Sequence, residues 1–420
     1  MSEWKELKIE DFCEVIGGGT PSTKEDSYYG GDISWITPRD LTNYKNRFIS
    51  RGERNITDLG LKNSSAKILP KNSILLTSRA PIGYLAIAEN EVCTNQGFKS
   101  LIVDAAKADY NFVYYLIKSN VERIKGLGTG TTFAEISGSV VKGLKFTIPD
   151  LPTQTAIAEI LSSLDDKIEL NNKINQELET LAQTLFKQWF IDFEFPNENG
   201  EPYKSSGGEM VESELGEIPK GWKVKTLDDI SNITIGRTPP RKEHQWFSTD
   251  INDVKWISIR DMGNCGTYIH TTSEFLTEDA VSRFNVPVIN SNTVIISFKL
   301  TVGRISITTE RMLSNEAIAH LNLNNKEIYP EFLYLFLKQF NFDSLGSTSS
   351  IATAVNSKSI KSLPFIYPSK EILARFKEVL VPLFSRIHSL TFENKEIVSL
   401  RDEMLPKLIS GELEINEISN

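Results

Sequence analysis

Histidine and cysteine are scarce in this chain, with four of the first and three of the second among 420 residues. His244, His270, His320 and His388 stand apart from one another and from any cysteine, so no metal-ligand spacing is present. Cys13, Cys93 and Cys265 are odd in number and far apart, a pattern that argues for ordinary free thiols rather than a disulfide framework. Long apolar runs are missing too. The longest, such as residues 73–76 and 294–297, are strand-length, far short of the roughly 20 residues that cross a bilayer. The first eleven residues mix charges and carry no apolar signal core. A cytoplasmic protein with no membrane contact is the expectation.

The signatures of catalysis are also wanting. Gly126-Leu-Gly128-Thr-Gly130 is a glycine-rich turn without the Lys-Ser/Thr of a phosphate loop. Thr238-Pro239-Pro240-Arg241 has the wrong flanks for the Asn/Asp-Pro-Pro-aromatic run of an amino-methyltransferase. Asp165-Asp166-Lys167 has the letters of a nuclease motif but lies on a helical stripe, without an upstream carboxylate and strand. No catalytic, metal or cofactor site is therefore assigned to this chain.

A net charge of −9 argues against nucleic acid until it is divided along the chain. Residues 1–150 and 222–368 each carry +1, whereas residues 151–221 carry −9 and residues 369–420 carry −2. Residues 39–79 hold nine basic side chains against three acidic ones, a local +6 that suits phosphate. A solvated charged surface explains that stretch equally well.

The chain also repeats itself. Trp4-Lys5 matches Trp222-Lys223, and Thr20-Pro21 matches Thr238-Pro239, at an offset of 218. Trp35-Ile-Thr-Pro-Arg39-Asp40-Leu-Thr-Asn43 matches Trp256-Ile-Ser-Ile-Arg260-Asp261-Met-Gly-Asn264 at 221; Gly83 matches Gly303 and Asn95 matches Asn315 at 220. Leu144 with Leu363 and Pro149 with Pro368 follow at 219. One offset held across so many elements marks a duplicated unit.

Each copy opens with about 145 residues of mixed α/β (α+β) character. Short β-rich runs at 73–77, 84–88, 294–298 and 304–308 alternate with Gly, Pro and Asn turns, and a helix recurs at 110–125 and 330–340. The period then changes. Ile157, Ile160, Leu161, Leu164, Ile168, Ile174, Leu178, Leu181 and Leu185 form a stripe at helical spacing. Phe376, Val379, Leu380, Leu383, Ile387, Ile397, Leu400, Met404 and Leu408 repeat it about 219 residues later. A helix of about 35 residues spans roughly 50 Å and cannot bury such a stripe on a domain it trails. Its partner is expected to be its own repeat, in an antiparallel coiled coil with a domain at either end and an internal pseudo-twofold. Asn171, opposite Leu390 in sequence register, is a polar position open to two readings: it fixes the alignment of the pair, or it is merely tolerated there. Pro382 implies a kink or local break. Exposed acid along the helix (Asp165, Asp166, Glu169, Glu177, Glu179) would repel DNA and points to protein partners there.

The organisation expected is a first domain at 1–150, a helix at 151–192, a linker at 193–221, a second domain at 222–368, a second helix at 369–413 and a tail at 414–420. The linker, rich in Pro, Gly, Ser, Asn and Glu with no apolar period, reads as exposed.

Several stretches resemble the specificity subunit of Type I restriction-modification systems. They are Leu185-Phe-Lys-Gln-Trp189-Phe190-Ile-Asp192-Phe193, then Pro196-Asn-Glu-Asn-Gly200, Ser205-Ser-Gly-Gly208, Glu217-Ile-Pro-Lys-Gly-Trp222 and Ile148-Pro-Asp-Leu-Pro152-Thr-Gln154. The resemblance covers essentially the whole chain. Pro368-Ser-Lys-Glu371 departs from the Pro-x-x-Pro-x-Gln pattern, which puts the start of the second helix in doubt. The resemblance implies two target-recognition domains, each reading half of a split, asymmetric double-stranded DNA site. It also implies two methyltransferase subunits, which use S-adenosylmethionine to methylate adenine at N6, and ATP-driven restriction subunits. S-adenosylmethionine, ATP and Mg belong to those partners.

Candidate DNA contacts are polar side chains on expected loops. In the first domain they are Lys24, Arg39, Asn43, Lys45, Arg47, Ser78, Arg79, Asn95, Gln96 and Thr131. In the second they are Arg237, Arg241, Lys242, Arg260, Asn264, Lys299, Arg304, Asn315 and Ser349. The repeated pairs Arg39/Arg260, Asn43/Asn264 and Asn95/Asn315 are equally open to a framework role. Rival readings are a subunit of a related system whose methyltransferase and nuclease are fused, a self-contained DNA enzyme, and a coiled-coil scaffold without nucleic acid.

Overall fold

The computed structural model describes residues 4–130, 134–324, 327–342 and 357–415. The chain divides into two compact units, residues 1–171 with 393–420, and residues 172–392. Each holds one α/β domain and part of both long helices.

The first domain is built on a five-stranded sheet in the order Cys13–Gly17, Lys99–Val103, Ile74–Ser78, Ile82–Ala88, Phe48–Ile49. The last pair is parallel and the rest antiparallel. A smaller sheet of Asn55–Ile56, Tyr29–Ile36 and Cys93–Thr94 lies beside it in sequence, and Lys5–Lys8 pairs with Lys145–Ile148 to tie the domain's ends together. The second domain repeats the plan. Its larger sheet runs Ser231–Ile235, Ile318–Leu323, Val294–Ser297, Ile305–Thr308, Tyr268–Ile269, and Lys223–Thr226 pairs with Pro364–Tyr367. The central strands Ile74–Ser78 and Val294–Ser297 are buried at every position, so their apolar residues run on instead of alternating.

The helix α1 (Tyr110–Ser119) starts where the Asp109 carboxylate accepts from the Phe112 amide at 2.9 Å. It leads to the long α2 (Leu151–Phe190). Gln154 explains the motif before it: buried, it accepts from the Asp109 amide at 3.1 Å and donates to the Pro149 carbonyl at 2.9 Å, joining the two helix starts. In the second copy α3 (Pro330–Gln339) opens with proline at its first position. The long α4 (Lys370–Ser410) begins 219 residues after α2 although the glutamine is replaced by Leu373. There Ser369 Oγ accepts from the Ile372 amide and Tyr329 donates to the Leu373 carbonyl.

In the first unit Ile157 and Leu161 of α2 join Leu405, Leu408 and Ile409 of α4 under the domain's Phe112, Tyr115 and Phe146. In the second unit Ala182, Phe186, Trp189 and Phe190 of α2 meet Phe376, Leu380 and Phe384 of α4, with ring centroids of Phe190 and Phe376 4.7 Å apart. A fully buried side chain of this size contributes about 2–3 kcal/mol. The stripe thus packs on domain and opposite helix together.

Three stripe residues do not pair. Leu181, Val379 and Leu400 are 46%, 38% and 47% exposed. The inward line of α2 passes through Leu178, Ala182, Phe186 and Trp189, in steps of three and four, and leaves Leu181 on the flank. Leu164, Ile168, Ile174 and Ile397 are half-buried. The Nδ2 of Asn171 donates to Glu393 at 3.0 Å and to Asn394 at 2.8 Å, all three within the first unit. Pro382 is exposed and α4 continues through it; the carbonyl it leaves unpaired belongs to Glu378, which faces solvent.

Residues 193–221 are mostly exposed, as expected of a linker, but they are anchored at a few buried aromatic side chains. Phe193 and Phe195 are buried with Trp222, the rings of Phe195 stacking on Tyr203 and Trp222 at 4.5 and 5.2 Å. A hairpin of Met210–Ser213 and Gly216–Pro219 follows and buries Ile218. Aromatic anchors spaced without period hold the segment to the second unit.

Candidate nucleic-acid interface

In the first domain, loops between strands bring together residues far apart in sequence. Thr20 donates its hydroxyl to Gln96 Oε1. Gly97 lies against Pro38 and Arg79, so close that a Cβ there would meet the Pro38 ring at 3.1 Å. Arg39 projects beside Pro38 and sits 3.6 Å from Glu53. Arg79 is 3.5 Å from Glu135, which also engages Lys99 at 3.6 Å. Lys24, Asn43 and Lys45 are exposed, Asn43 at a φ of +60° that asparagine tolerates.

Three candidates of this domain are framework. Ser78 is buried, its hydroxyl on the Gly97 carbonyl at 3.1 Å. Asn95 accepts from the Gly97 amide at 2.8 Å and shapes the loop. Arg47 is buried against α2, donating to Tyr115 at 3.0 Å and Asp166 at 2.5 Å. Its charge serves the domain's attachment to the helix. Thr131 and Ser349 lie outside the described residues.

The second domain repeats the arrangement with other side chains. Thr238 donates to Glu316, which stands where the first domain has Gln96, at an offset of 220. Burial pushes the Glu316 carboxyl up, but the Thr238 hydroxyl, its own amide and the charges of Lys299 and Arg241 hold it below the usual carboxylate range. Lys299 and Lys242 are exposed. Arg260 and Asn264 project from a short helix, Ile259–Asn264, whose start is fixed by the Ser258/Asp261 capping box. Asp40 plays the same part in the first domain, accepting from the amide and hydroxyl of Thr37. Arg304 supports that helix instead of reading outward, with its guanidinium on the Ile259 carbonyl and against Gly263. Asn315 accepts from the Ala317 amide at 3.0 Å, as Asn95 does in its loop. Arg241 is clamped by two bonds to Glu274 (2.7 and 3.0 Å) and stacked on Phe247 and Trp256. Arg237 donates to the Phe284 carbonyl.

The repeated positions therefore separate. Asn95/Asn315 are framework, whereas Arg39/Arg260 and Asn43/Asn264 are exposed at equivalent positions, on a turn in the first domain and on the short helix in the second. Glu316 was not among the sequence candidates, because an acid is discounted near DNA, although a carboxylate can accept from cytosine N4. Its alignment with Gln96 was the available signal.

Of the five acids expected on the surface of α2, Asp165, Glu169 and Glu179 turn inward, whereas Asp166 and Glu177 are exposed. Asp165 is buried and accepts from Tyr115 at 2.8 Å and from Arg401 of α4, with Lys118 at 3.6 Å. Burial pushes its carboxyl up, but Lys118, Arg401 and Tyr115 outweigh this and hold it below the ordinary range. Glu169 accepts from the Arg47 amide at 2.6 Å. In the second unit Glu179 accepts from Tyr334 at 2.7 Å and Thr267 at 3.1 Å and pairs with Lys338. Tyr115 and Tyr334 are repeat equivalents, so each domain is pinned by a tyrosine hydroxyl to an acid of α2. Among the described residues no helix is long and apolar enough to cross a membrane.

The chain matches the Type I restriction modification DNA specificity domain over residues 1–180 and 219–398. It is 37% identical to the Type I restriction enzyme MjaIX specificity subunit of Methanocaldococcus jannaschii, over 99% of this chain and 95% of that one. It is 28% identical to the HindI specificity subunit of Haemophilus influenzae, over 98% and 100%. The crystal structure of a Type I restriction-modification S subunit from M. genitalium shares the fold, with a TM-score of 0.54 at 19% identity, covering 97% of this chain and 96% of that one.

Proposed function

Because this chain belongs to the family of Type I restriction modification DNA specificity domains, we propose that it is the sequence-reading, non-catalytic subunit of a Type I restriction-modification assembly. It directs adenine-N6 methylation and restriction by partner subunits to an asymmetric, bipartite site in double-stranded DNA. The observation that carries the reading is one framework built twice with different exposed side chains on equivalent loops. Gln96 of the first domain corresponds to Glu316 of the second, and the half-buried Arg79 to the exposed Lys299. Gln pairs with adenine edges and Glu accepts from cytosine, so two such surfaces read different half-sites, where identical ones would read a palindrome. Arg39, Lys45 and Arg260, all exposed, suit phosphates.

Leu181 and Leu400 support a pair of like partners. They are repeat equivalents, 219 residues apart, each nearly half exposed on a long helix. Two copies of one methyltransferase subunit would find the same apolar position twice. S-adenosylmethionine, ATP and Mg reside on the methyltransferase and restriction subunits.

The test is to sequence methylated adenines from cells expressing this chain with its partner subunits. One split, non-palindromic motif is expected, and its affinity for the assembly should fall steeply with salt. A palindromic motif, or methylation unchanged when this chain is deleted, refutes the proposal.

A further inference from the structure

Leu300 is the most exposed large apolar side chain among the described residues, 95% accessible, with a φ of +63°. Leucine is disfavoured in that conformation because its Cβ crowds the following carbonyl, and glycine or asparagine would suit it better. The residue contributes nothing to the domain's core. It sits at the tip of the turn joining Val294–Ser297 to Ile305–Thr308, two central strands of the larger sheet.

The tip is held, not loose. Ser297 Oγ donates to the Thr301 carbonyl and accepts from the Arg304 amide at 3.0 Å. The Gly303 amide donates to the Ser297 carbonyl at 3.0 Å, and the Phe298 amide to the Ala317 carbonyl at 2.9 Å. The neighbouring Lys299 is exposed and close enough to Glu316 to favour its ionised form. The apolar tip therefore stands in the loop cluster assigned above to DNA, beside a cation and a base-reading position. The first domain has the same turn with Arg79 and Ala80, also at positive φ (+51°), and offers only a methyl group.

We propose that Leu300 is a wedge that enters the base stack of the half-site read by the second domain and parts one base-pair step. The inference rests on the DNA-reading function proposed above. Apolar side chains presented on a rigid support unstack base steps in this way, and the leucine surface that water now covers would be buried between bases. Ala80 is too short to do the same, so the distortion is confined to one half-site.

The experiment uses the full chain assembled with its methyltransferase subunits, on duplexes carrying the methylated motif. 2-Aminopurine is scanned through both half-sites at positions other than the methylated adenine. Wild type is expected to raise fluorescence at one step of one half-site. Leu300→Asn, which suits the left-handed backbone, is expected to abolish that rise and weaken binding about tenfold, with the thermal midpoint unchanged or raised. Leu300→Met should retain the signal. Unchanged affinity and fluorescence in Leu300→Asn would overturn the wedge while leaving the DNA-reading function intact. Loss of methyltransferase binding in that variant would also overturn it, by making Leu300 a protein contact. No preferred site for the wild-type assembly would overturn the DNA-reading function itself.

Discussion

His320 is buried in the second domain with Nε2 2.6 Å from Ser314 Oγ and Nδ1 3.1 Å from Thr234 Oγ1, and burial pushes its pKa down to about 4. An unfolded histidine, near 6.5, takes up a proton that the folded one refuses. Its contribution to stability is thus complete above that value and lost as pH falls toward the folded one. Denaturant unfolding of the second unit should show a loss of up to roughly 3 kcal/mol across that window. His320→Gln should flatten the slope, and a wild-type profile without it rejects the prediction. Where each candidate side chain points was not legible in the sequence. Arg47 looks as available as Arg39 in sequence, yet its partner Asp166 lies 119 residues on, and no local pattern reveals such a pair. Repetition left Asn95/Asn315 as open to a framework role as Arg39/Arg260 and Asn43/Asn264; the geometry separates them, since Asn95 and Asn315 each fix a turn through the amide two residues on.

At the level of elements, both long helices followed from their apolar period, and the sheet strands from short β-rich runs between turn residues. Which side of each helix points inward was less clear, because the period marks a broad face and Leu181, Val379 and Leu400 lie at its rim. The anchoring of residues 193–221 was not legible because Phe193 and Phe195 bury, and Tyr203 packs beside them, without any period. Asn171 gives a direct check on the helix pair. Asn171→Asp would set a second carboxylate against Glu393, and about 2 kcal/mol of stability should be lost at neutral pH. Much of that should return on acidification, when the new carboxyl is protonated. Thermal melts at two pH values decide it, and an unchanged midpoint at neutral pH rules the contact out.

The molecule as a whole is two compact units, and the first is discontinuous: residues 393–420 complete what residues 1–171 begin. A chain ending after Phe392 keeps every residue of the second unit but lacks Leu405, Leu408 and Ile409, which bury under the first domain. Calorimetry of the full chain is expected to show two transitions and of the truncated chain one, that of residues 172–392. Two preserved transitions would mean that the first domain needs no late segment.

That discontinuity also inverts the order in which the protein matures on the ribosome. At about 5–20 residues per second, the early-made domain waits tens of seconds for its closing helix segment. Meanwhile the later-made half, contiguous in sequence, can fold as soon as it has emerged. The first part translated is the last to be finished, and through that interval its apolar underside is open to chaperones.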